Sequence, residues 1–471
     1  MRILFPLEAR YFNRFRGRAQ RLGVMALSAV LKPQGFKIEL VKATPKAMAA
    51  ALAGDEPAVL AYSLTSQLAE PILAVNREIK KEFDVLSLFG GPHPTYYPEM
   101  LGEEGVDAVC RGQGEHGLVE MVCRVRDGQD FSEVRNWEVK RNGTVFKNPL
   151  RPLIDDLDSL PFPDRDIMPN EELNSVMTSR GCPYNCTYCL NAAYKRLYSF
   201  CSPGKVRRRS VDNVIEELRR IKSRFPRTFI VFLDPILPVK KDWMEAFSSE
   251  YRKHIGLPFF CEIKYELMDG EMVKLLKDAG CYSVGVGVES SNPEVREKLM
   301  RRHVCNEKIV EVSEQLRRAG IKMNTFNIIG MPQTTIEDDF NTLKFNNEIK
   351  ADFATGCLLS PYRESEIYDI CDELGVLTKD IAFTRGTFAF TTIDYGDEKL
   401  KRRLINLESL FTTLALSRFL CRHADFITRL PLQRLYAKFF SIGYAFLLRW
   451  RIFPTYLMRR LKTLSMNRQK G

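Results

Sequence analysis

Three cysteines stand within eight residues, in Cys182-Pro-Tyr-Asn-Cys186-Thr-Tyr-Cys189. Thiolates at this spacing can hold three irons of a four-iron, four-sulfur cluster, which leaves the fourth iron able to take an amine and a carboxylate from a bound molecule. An electron carrier saturates its cluster with four thiolates, so the missing fourth cysteine implies chemistry at the metal. Zinc is the competing occupant, since clustered cysteines in an intracellular protein often bind it. A structural zinc needs a fourth ligand. No second Cys-x-x-Cys or His-x-x-x-His follows, Cys201 stands alone, and the closest downstream histidine is His254. The cluster is the better reading.

A cluster loop of this kind needs a scaffold, and the chain after it supplies one. Residues 211–221 place Val211, Val214, Ile215, Leu218 and Ile221 at helical spacing, and the β-branched, apolar run 228–233 follows. Further β/α units are expected: strand 259–263 and helix 270–279, strand 283–288 and a helix from Asn292, helix 308–319, strand 322–329, helix 336–348 and a short strand at 353–359. Strands alternating with helices imply a parallel sheet, and about six such units make a partial barrel with its site at the carboxyl ends of the strands. The cysteine loop follows a strand at 174–178 and belongs at that end.

The cysteine motif, with Tyr188 before its last cysteine, resembles that of the radical S-adenosylmethionine (radical SAM) enzymes. Gly-Val-Glu289-Ser-Ser and Ile-Ile-Gly330-Met-Pro match the later motifs of that family, and the likeness covers roughly 174–374. It implies that Cys182, Cys186 and Cys189 bind a [4Fe-4S] cluster that cleaves SAM. Asp234 and Glu289 close two strands, and carboxylates there can hold the methionine amine and the ribose hydroxyls. Asn327 and Gly330 are expected near the adenine. For each carboxylate alone, a helix cap or a surface ion pair is the plainer alternative.

Ahead of this core, strands are expected at 2–5, 36–41, 58–64, 85–89 and 106–110, with helices at 26–31 and 71–81. This is a doubly wound, Rossmann-like α/β domain. Its strand ends carry Ser63-Leu64-Thr65-Ser66, Gly90-Gly91-Pro-His93 and Arg111-Gly112-Gln-Gly114-Glu115, small or glycine-rich loops that let a flat cofactor lie close to backbone. No Gly-x-Gly-x-x-Gly dinucleotide fingerprint follows the first strand. Placed before a radical SAM core, these loops look like the cobalamin-binding domain of the cobalamin-dependent radical SAM enzymes. The wider cobalamin family has Asp-x-His-x-x-Gly after its first strand, whereas 7–23 contains no histidine here. A cobalamin would then lack that lower ligand. His93 could reach the cobalt, but between prolines in a turn it reads better as a solvated or capping residue. A corrinoid-free module that recognises substrate is the other reading of this domain.

The expected organisation is a cobalamin-binding domain at 1–148, a proline-rich linker at 149–170 running extended over the surface, a radical SAM core at 171–375, and a helical basic region at 376–471. A hairpin at 137–148 turns on Asn142-Gly143. From Lys401 to Gly471 there are fifteen Lys or Arg against Glu408 and Asp425, a net +13 against +11 for the whole chain, so residues 1–400 carry about −2. Aromatic residues interleave with this charge. The uncharged run 439–448 is shorter than the ~20 residues a bilayer span requires. An interfacial contact with anionic lipid and a helical lid over the barrel are the two leading readings, ahead of nucleic-acid binding, for which no recognition module is visible. Met1-Arg-Ile-Leu-Phe5 reads as a strand rather than a secretory signal, which places the protein in a reducing cytoplasm, peripheral to the inner membrane surface if the lipid contact holds.

The resemblance implies a carbon methyltransferase. An external donor of flavodoxin or ferredoxin type reduces the cluster, bound SAM yields a 5′-deoxyadenosyl radical, and the substrate radical collects a methyl from methylcobalamin. A ring-forming enzyme like the anaerobic magnesium-protoporphyrin ester cyclase shares the domain order and is the runner-up. A cobalamin or iron-sulfur sensor or carrier without turnover is a third reading. The N-terminal part holds only Cys110 and Cys123, too few for the second cluster of a methylthiotransferase. The substrate is a small molecule, lipid-like if the C-terminal region touches membrane.

Overall fold

The computed structural model describes residues 1–8, 20–201, 206–378, 391–439 and 452. They form two compact units, the first comprising Met1–Asn170 with residues 198–201, the second Glu171–Leu197 and the described residues from 206 onward.

In the first unit, β1 (Arg2–Leu7), α1 (Leu22–Leu31), β2 (Lys37–Lys42), α2 (Pro45–Leu52), β3 (Ala58–Ser63), α3 (Ser66–Glu82), β4 (Leu86–Gly90), α4 (Pro92–Tyr96), β5 (Ala108–Cys110) and α5 (Glu115–Arg126) alternate. The sheet order is β2-β1-β3-β4-β5, all parallel, extended by the antiparallel hairpin β6 (Trp137–Arg141) and β7 (Thr144–Lys147). This is the doubly wound order, in which the strands are covered on both faces. Alternate residues feed two cores: Ile3, Phe5 and Leu88 pack on Met25, Leu118 and Met121, while Leu4, Leu60 and Phe89 pack on Met48, Ile72 and Leu73.

Two departures from expectation have local causes. Helix α3 starts at Ser66, five residues before Pro71. A proline in the second turn removes only one helical donor, and Ala69, Ile72, Leu73 and Ile79 keep a buried stripe through it. The proline-rich segment 149–170 is largely irregular and half-buried or exposed, as a surface strap would be, but it belongs to the first unit. The Asp164 amide donates to the Met25 carbonyl at 3.0 Å, its carboxylate accepts from Ser28 Oγ and pairs with Lys32 at 2.6 Å, and Met168 enters the core.

The second unit is built from β8 (Leu173–Val176), β9 (Ser179–Arg180), α6 (Leu190–Leu197), β10 (Arg207–Arg208), α7 (Val211–Arg224), β11 (Phe229–Phe232), α8 (Lys241–His254), β12 (Phe259–Ile263), α9 (Gly270–Ala279), β13 (Cys281–Glu289), α10 (Asn306–Arg318), β14 (Lys322–Ile329), α11 (Ile336–Glu348) and β15 (Phe353–Leu358). Six strands in the order β8-β11-β12-β13-β14-β15 form an open parallel sheet, the partial (β/α)6 barrel that the sequence implies. Ser210, Asp269 and Thr335 cap α7, α9 and α11, which is why those helices begin where their apolar periodicity does. After β13 the expected helix from Asn292 is reduced to a wide π-helical turn at Val295–Leu299. The cause is Arg296, whose buried guanidinium draws in the carbonyls of Ser290 and Val304 and the side chain of Asn306.

Beyond α12 (Glu366–Glu373), Leu377 and Ile393 form an isolated antiparallel bridge, and from Glu398 the described residues are mainly helical: α13 (Glu398–Ala415), α14 (Arg418–Arg422), α15 (Ala424–Arg429) and α16 (Gln433–Phe439). The run 439–448 lies outside the described residues except for the end of α16. Helix α13 lies against the edge strand β15, with Phe411 filling the space above Gly356. Its side chains satisfy groups that an edge strand otherwise leaves open: Glu408 Oε1 accepts from the Leu358 amide at 3.1 Å and Thr412 Oγ1 donates to the Ala354 carbonyl at 2.7 Å. Burial pushes the Glu408 carboxyl up to about 8. The folded protein therefore holds a proton that the unfolded chain releases above ~4.3, so this group's contribution to stability falls as pH rises from about 5 to about 8. Glu408→Gln keeps the acceptor and removes the titration. Urea unfolding across that range is expected to show a flatter pH dependence in the variant than in the wild type.

Candidate cluster and cofactor sites

The cysteine loop leaves the short β9–β10 ladder, where Ser179 pairs with Arg208 and Arg180 with Arg207. Asp234, just past β11, anchors this ladder. Its carboxylate accepts from the Thr178 amide at 3.0 Å, from Thr178 Oγ1 at 2.7 Å and from Ser179 Oγ at 2.5 Å, and the residue is buried. Arg208 donates to Thr178 Oγ1 at 3.1 Å and lies over the Trp243 ring. Asp234, expected beside a cofactor, uses its oxygens here to hold the start of the cysteine loop to the neighbouring strand.

From there Gly181 turns with φ 95° into Cys182. The loop is pinned by its other residues. The Thr187 amide donates to the Met300 carbonyl and the Thr187 carbonyl accepts from the Ile367 amide, while Lys195 Nζ donates to the Tyr184 carbonyl at 2.7 Å and to Asn185 Oδ1 at 2.8 Å. Asn191 Nδ2 lies 3.6 Å from Cys189 Sγ. Cys186 is buried and Cys182 and Cys189 are half-buried. Burial pushes the Cys182 and Cys186 thiols up; Lys195 and Lys264 oppose this at Cys182, as do Arg302 and Lys264 at Cys186. Three cations beside three thiols suit thiolates and the anionic cluster they would carry. Among the described residues, no three His, Cys, Asp or Glu side chains converge closely enough to share one metal ion. A four-iron cluster instead spreads its three thiolates over separate irons.

Glu289 ends β13 with φ 65°, a left-handed conformation that turns its carboxylate back toward the loop. Tyr188 Oη, from within the cysteine motif, donates to Glu289 Oε1 at 3.1 Å. Arg302, only 3% exposed, donates to the same oxygen at 3.2 Å, to the Gly287 carbonyl at 2.7 Å and to Glu266 Oε2 at 3.3 Å, and Glu266 in turn pairs with Lys264. A Cβ at Gly287 would stand 2.0 Å from Glu289 Oε1, so this strand needs glycine there. Next to it, Glu262 on β12 is pushed up to about 7 by burial and by the neighbouring Glu289 and Asp234. Nothing in the sequence near the cysteines points to Arg302, Lys264 or Glu266, which arrive from later loops.

The two remaining expected SAM contacts are placed differently. Asn327 is on β14 with its side chain toward α11: its Nδ2 donates to the Thr355 carbonyl at 3.0 Å and its Oδ1 accepts from Asn346 at 2.7 Å. Gly330 has φ 68°, but the space beside it is filled, since a Cβ would meet Tyr395 Oη at 2.4 Å and Leu358 at 2.8 Å. Its amide donates to Asp339 and its carbonyl accepts from Tyr395. Both residues bond to protein partners, and Glu289 is the one of the four seen to bond to a residue inside the cysteine motif.

In the first unit the three expected loops do meet, at the carboxyl ends of β3, β4 and β5. The Leu64 amide donates to the Gly90 carbonyl at 2.8 Å and the His93 amide to the Leu64 carbonyl at 3.1 Å. A Cβ at Gly91, where φ is 102°, would fall 2.7 Å from that Leu64 oxygen. Thr95 Oγ1 donates to the Gly91 carbonyl and accepts from the Gly112 amide, and Tyr198 Oη accepts from the Gln113 amide. Ser63, Thr65, Gly114 and the buried Glu115 complete these loops, Glu115 as the first residue of α5. His93 is not the solvated turn residue expected. It is buried in α4, 3.1 Å from Ser66 Oγ and stacked on Tyr97, and burial lowers it to about 4, so it is neutral at physiological pH.

These geometries can be set beside known proteins. The radical SAM superfamily model matches residues 176–345 and the B12 binding domain model residues 11–122. The chain is 27% identical over 321 residues to an uncharacterized methyltransferase of Pyrococcus horikoshii, covering 66% of this chain and 67% of that protein. It is 24% identical over 339 residues to the anaerobic magnesium-protoporphyrin IX monomethyl ester cyclase of Rubrivivax gelatinosus, covering 68% of this chain and 58% of that one. In fold it is similar to the radical SAM methyltransferase TsrM of Kitasatospora setae, solved with cobalamin and a [4Fe-4S] cluster, with TM-score 0.65 and 15% identity over 81% of this chain and 76% of that one.

Arg302→Met tests the buried network, because it leaves Glu289 and Glu266 without their shared cation. The unfolding free energy is expected to drop by about 3 kcal/mol, read from urea denaturation. A loss within error of zero would mean that the carboxylates find other partners.

Proposed function

Since the chain belongs to the cobalamin-dependent radical SAM enzymes, with a B12-binding domain ahead of a radical SAM core, we propose that it is a methyltransferase acting on an unactivated carbon of a small molecule. Its cofactors are a [4Fe-4S] cluster, SAM and cobalamin. When bound, these groups supply the radical and the methyl group. The chain's own residues bind and orient. Cys182, Cys186 and Cys189 are assigned to the cluster, with Lys195, Lys264 and Arg302 balancing its charge. Glu289, steadied by Tyr188 and Arg302, is assigned to the polar end of SAM. Asp234 positions the cysteine loop. The strand-end loops at 63–66, 90–95 and 111–115 are assigned to the corrinoid.

The observation that carries this reading is a loop of three thiols among three cations without a fourth cysteine in its motif, in a chain that also matches the B12 binding domain. Methyl transfer is favoured by the relative named a methyltransferase, and ring formation by the relative named a cyclase. An external electron donor is required, and we assign it to the flavodoxin or ferredoxin type. We place the protein in the cytoplasm, at the membrane surface, with a lipid-like substrate.

SAM alone separates the readings. Reduced, reconstituted protein is expected to form both 5′-deoxyadenosine and S-adenosylhomocysteine from SAM, and Cys186→Ala to lose the first while keeping its circular dichroism spectrum. Deoxyadenosine without S-adenosylhomocysteine would favour the cyclase, and neither product would favour a sensor or carrier. Retained cleavage in Cys186→Ala would refute the cluster assignment.

A further inference from the structure

Of the nine large apolar side chains exposed among the described residues, four fall between positions 419 and 435: Phe419 is 69% exposed, Phe426 64%, Leu435 46% and Leu432 40%. The helices that bear three of them, with Leu432 just before α16, are firmly seated. Cys421 of α14, Ala424 of α15 and Tyr436 of α16 are buried in the core of the second unit, and all three helices pack on α13. The exposed phenylalanines and leucines therefore belong to the side of these helices that the fold leaves uncovered. Phe419 touches the His423 ring, yet both phenylalanines stand largely in water, and among the described residues nothing covers them.

The charge around them has one sign. Arg418, Arg422, Arg429 and Arg434 are exposed on the same short helices. Asp425 is the one acidic residue of this stretch, and it is paired with Arg403 and Arg429. The chain after Ala437 continues with eight Lys or Arg and no Asp or Glu. Aromatic and aliphatic side chains ringed by arginine match the boundary between lipid headgroups and acyl chains, where apolar groups enter and guanidinium groups meet phosphates. No helix among the described residues is long and apolar enough to cross a membrane.

We propose that α14–α16 form a docking surface for an anionic phospholipid bilayer, with Phe419, Phe426 and Leu435 entering the interface and Arg418, Arg422 and Arg434 contacting phosphates. This deepens the membrane placement proposed above and is independent of the reaction, since lipid binding needs neither the cluster nor SAM. The test is sedimentation of the full chain with phosphatidylcholine vesicles, with and without phosphatidylglycerol. Binding is expected only with phosphatidylglycerol and is expected to weaken at high salt. Phe419→Ser with Phe426→Ser should weaken it about tenfold or more, and Arg418→Gln with Arg422→Gln should remove most of the lipid selectivity. Both double variants should keep the wild-type unfolding midpoint, because the altered side chains are exposed. Equal binding to both vesicle types, or unchanged binding in the phenylalanine variant, would overturn the proposal. So would failure to bind either vesicle together with dimer formation that the phenylalanine variant abolishes, which would assign the face to a second copy of the chain.

Discussion

The second unit is organised around one buried guanidinium. Arg302 ties Glu289 at the end of β13 to Glu266 after β12 and to the Gly287 carbonyl, and through Glu289 it holds Tyr188 of the cysteine motif. Burying this many charges is costly unless each is paired. Here the pairing orders a loop whose thiols must remain able to take iron. The loop's rigidity comes from the residues between the cysteines: Tyr184, Asn185, Thr187 and Tyr188 all bond to later elements. A site meant to receive a large preformed group has to be held in this way, from outside the group's own ligands.

Glycine serves three separate purposes in the same molecule. Gly91 lets the β4 loop pass within contact distance of the Leu64 backbone, so that two strand ends share hydrogen bonds. Gly287 leaves room for a carboxylate that folds back along its own strand. Gly330 admits Tyr395 and Leu358 of its own chain. Only the geometry tells a glycine that makes room for a ligand from one that makes room for protein. The first unit's loops gather backbone amides and small side chains at three adjacent strand ends, the place where doubly wound sheets bind flat ligands.

Much of this was legible in the residues. The cysteine spacing, the alternation of β-branched runs with amphipathic segments and the Asn142-Gly143 turn lead directly to the two sheets, because each depends on a local pattern. Parity along β14 also places Asn327. Met323, Thr325, Asn327 and Ile329 share one face of β14, and Met323 and Ile329 pack in the core beneath the helices, so Asn327 faces α11 and not the strand's other side. His93 was misread because two flanking prolines look like a turn, whereas Pro92 opens a short helix that buries the ring. Arg302 was beyond reach: it lies thirteen residues after Glu289 in a segment with no periodic signal, and its role exists only once β12, β13 and the cysteine loop are adjacent.

The most direct test of the account is anaerobic reconstitution with iron, sulfide and hydroxocobalamin, followed by removal of unbound cofactor and measurement of iron, sulfide and cobalt with the visible spectrum. The account predicts about four irons and one cobalt per chain, with the iron lost and the cobalt retained in Cys186→Ala. Iron without cobalt would leave the radical SAM core standing and contradict the cobalamin role of the first unit; cobalt without iron in the wild type would contradict the central claim.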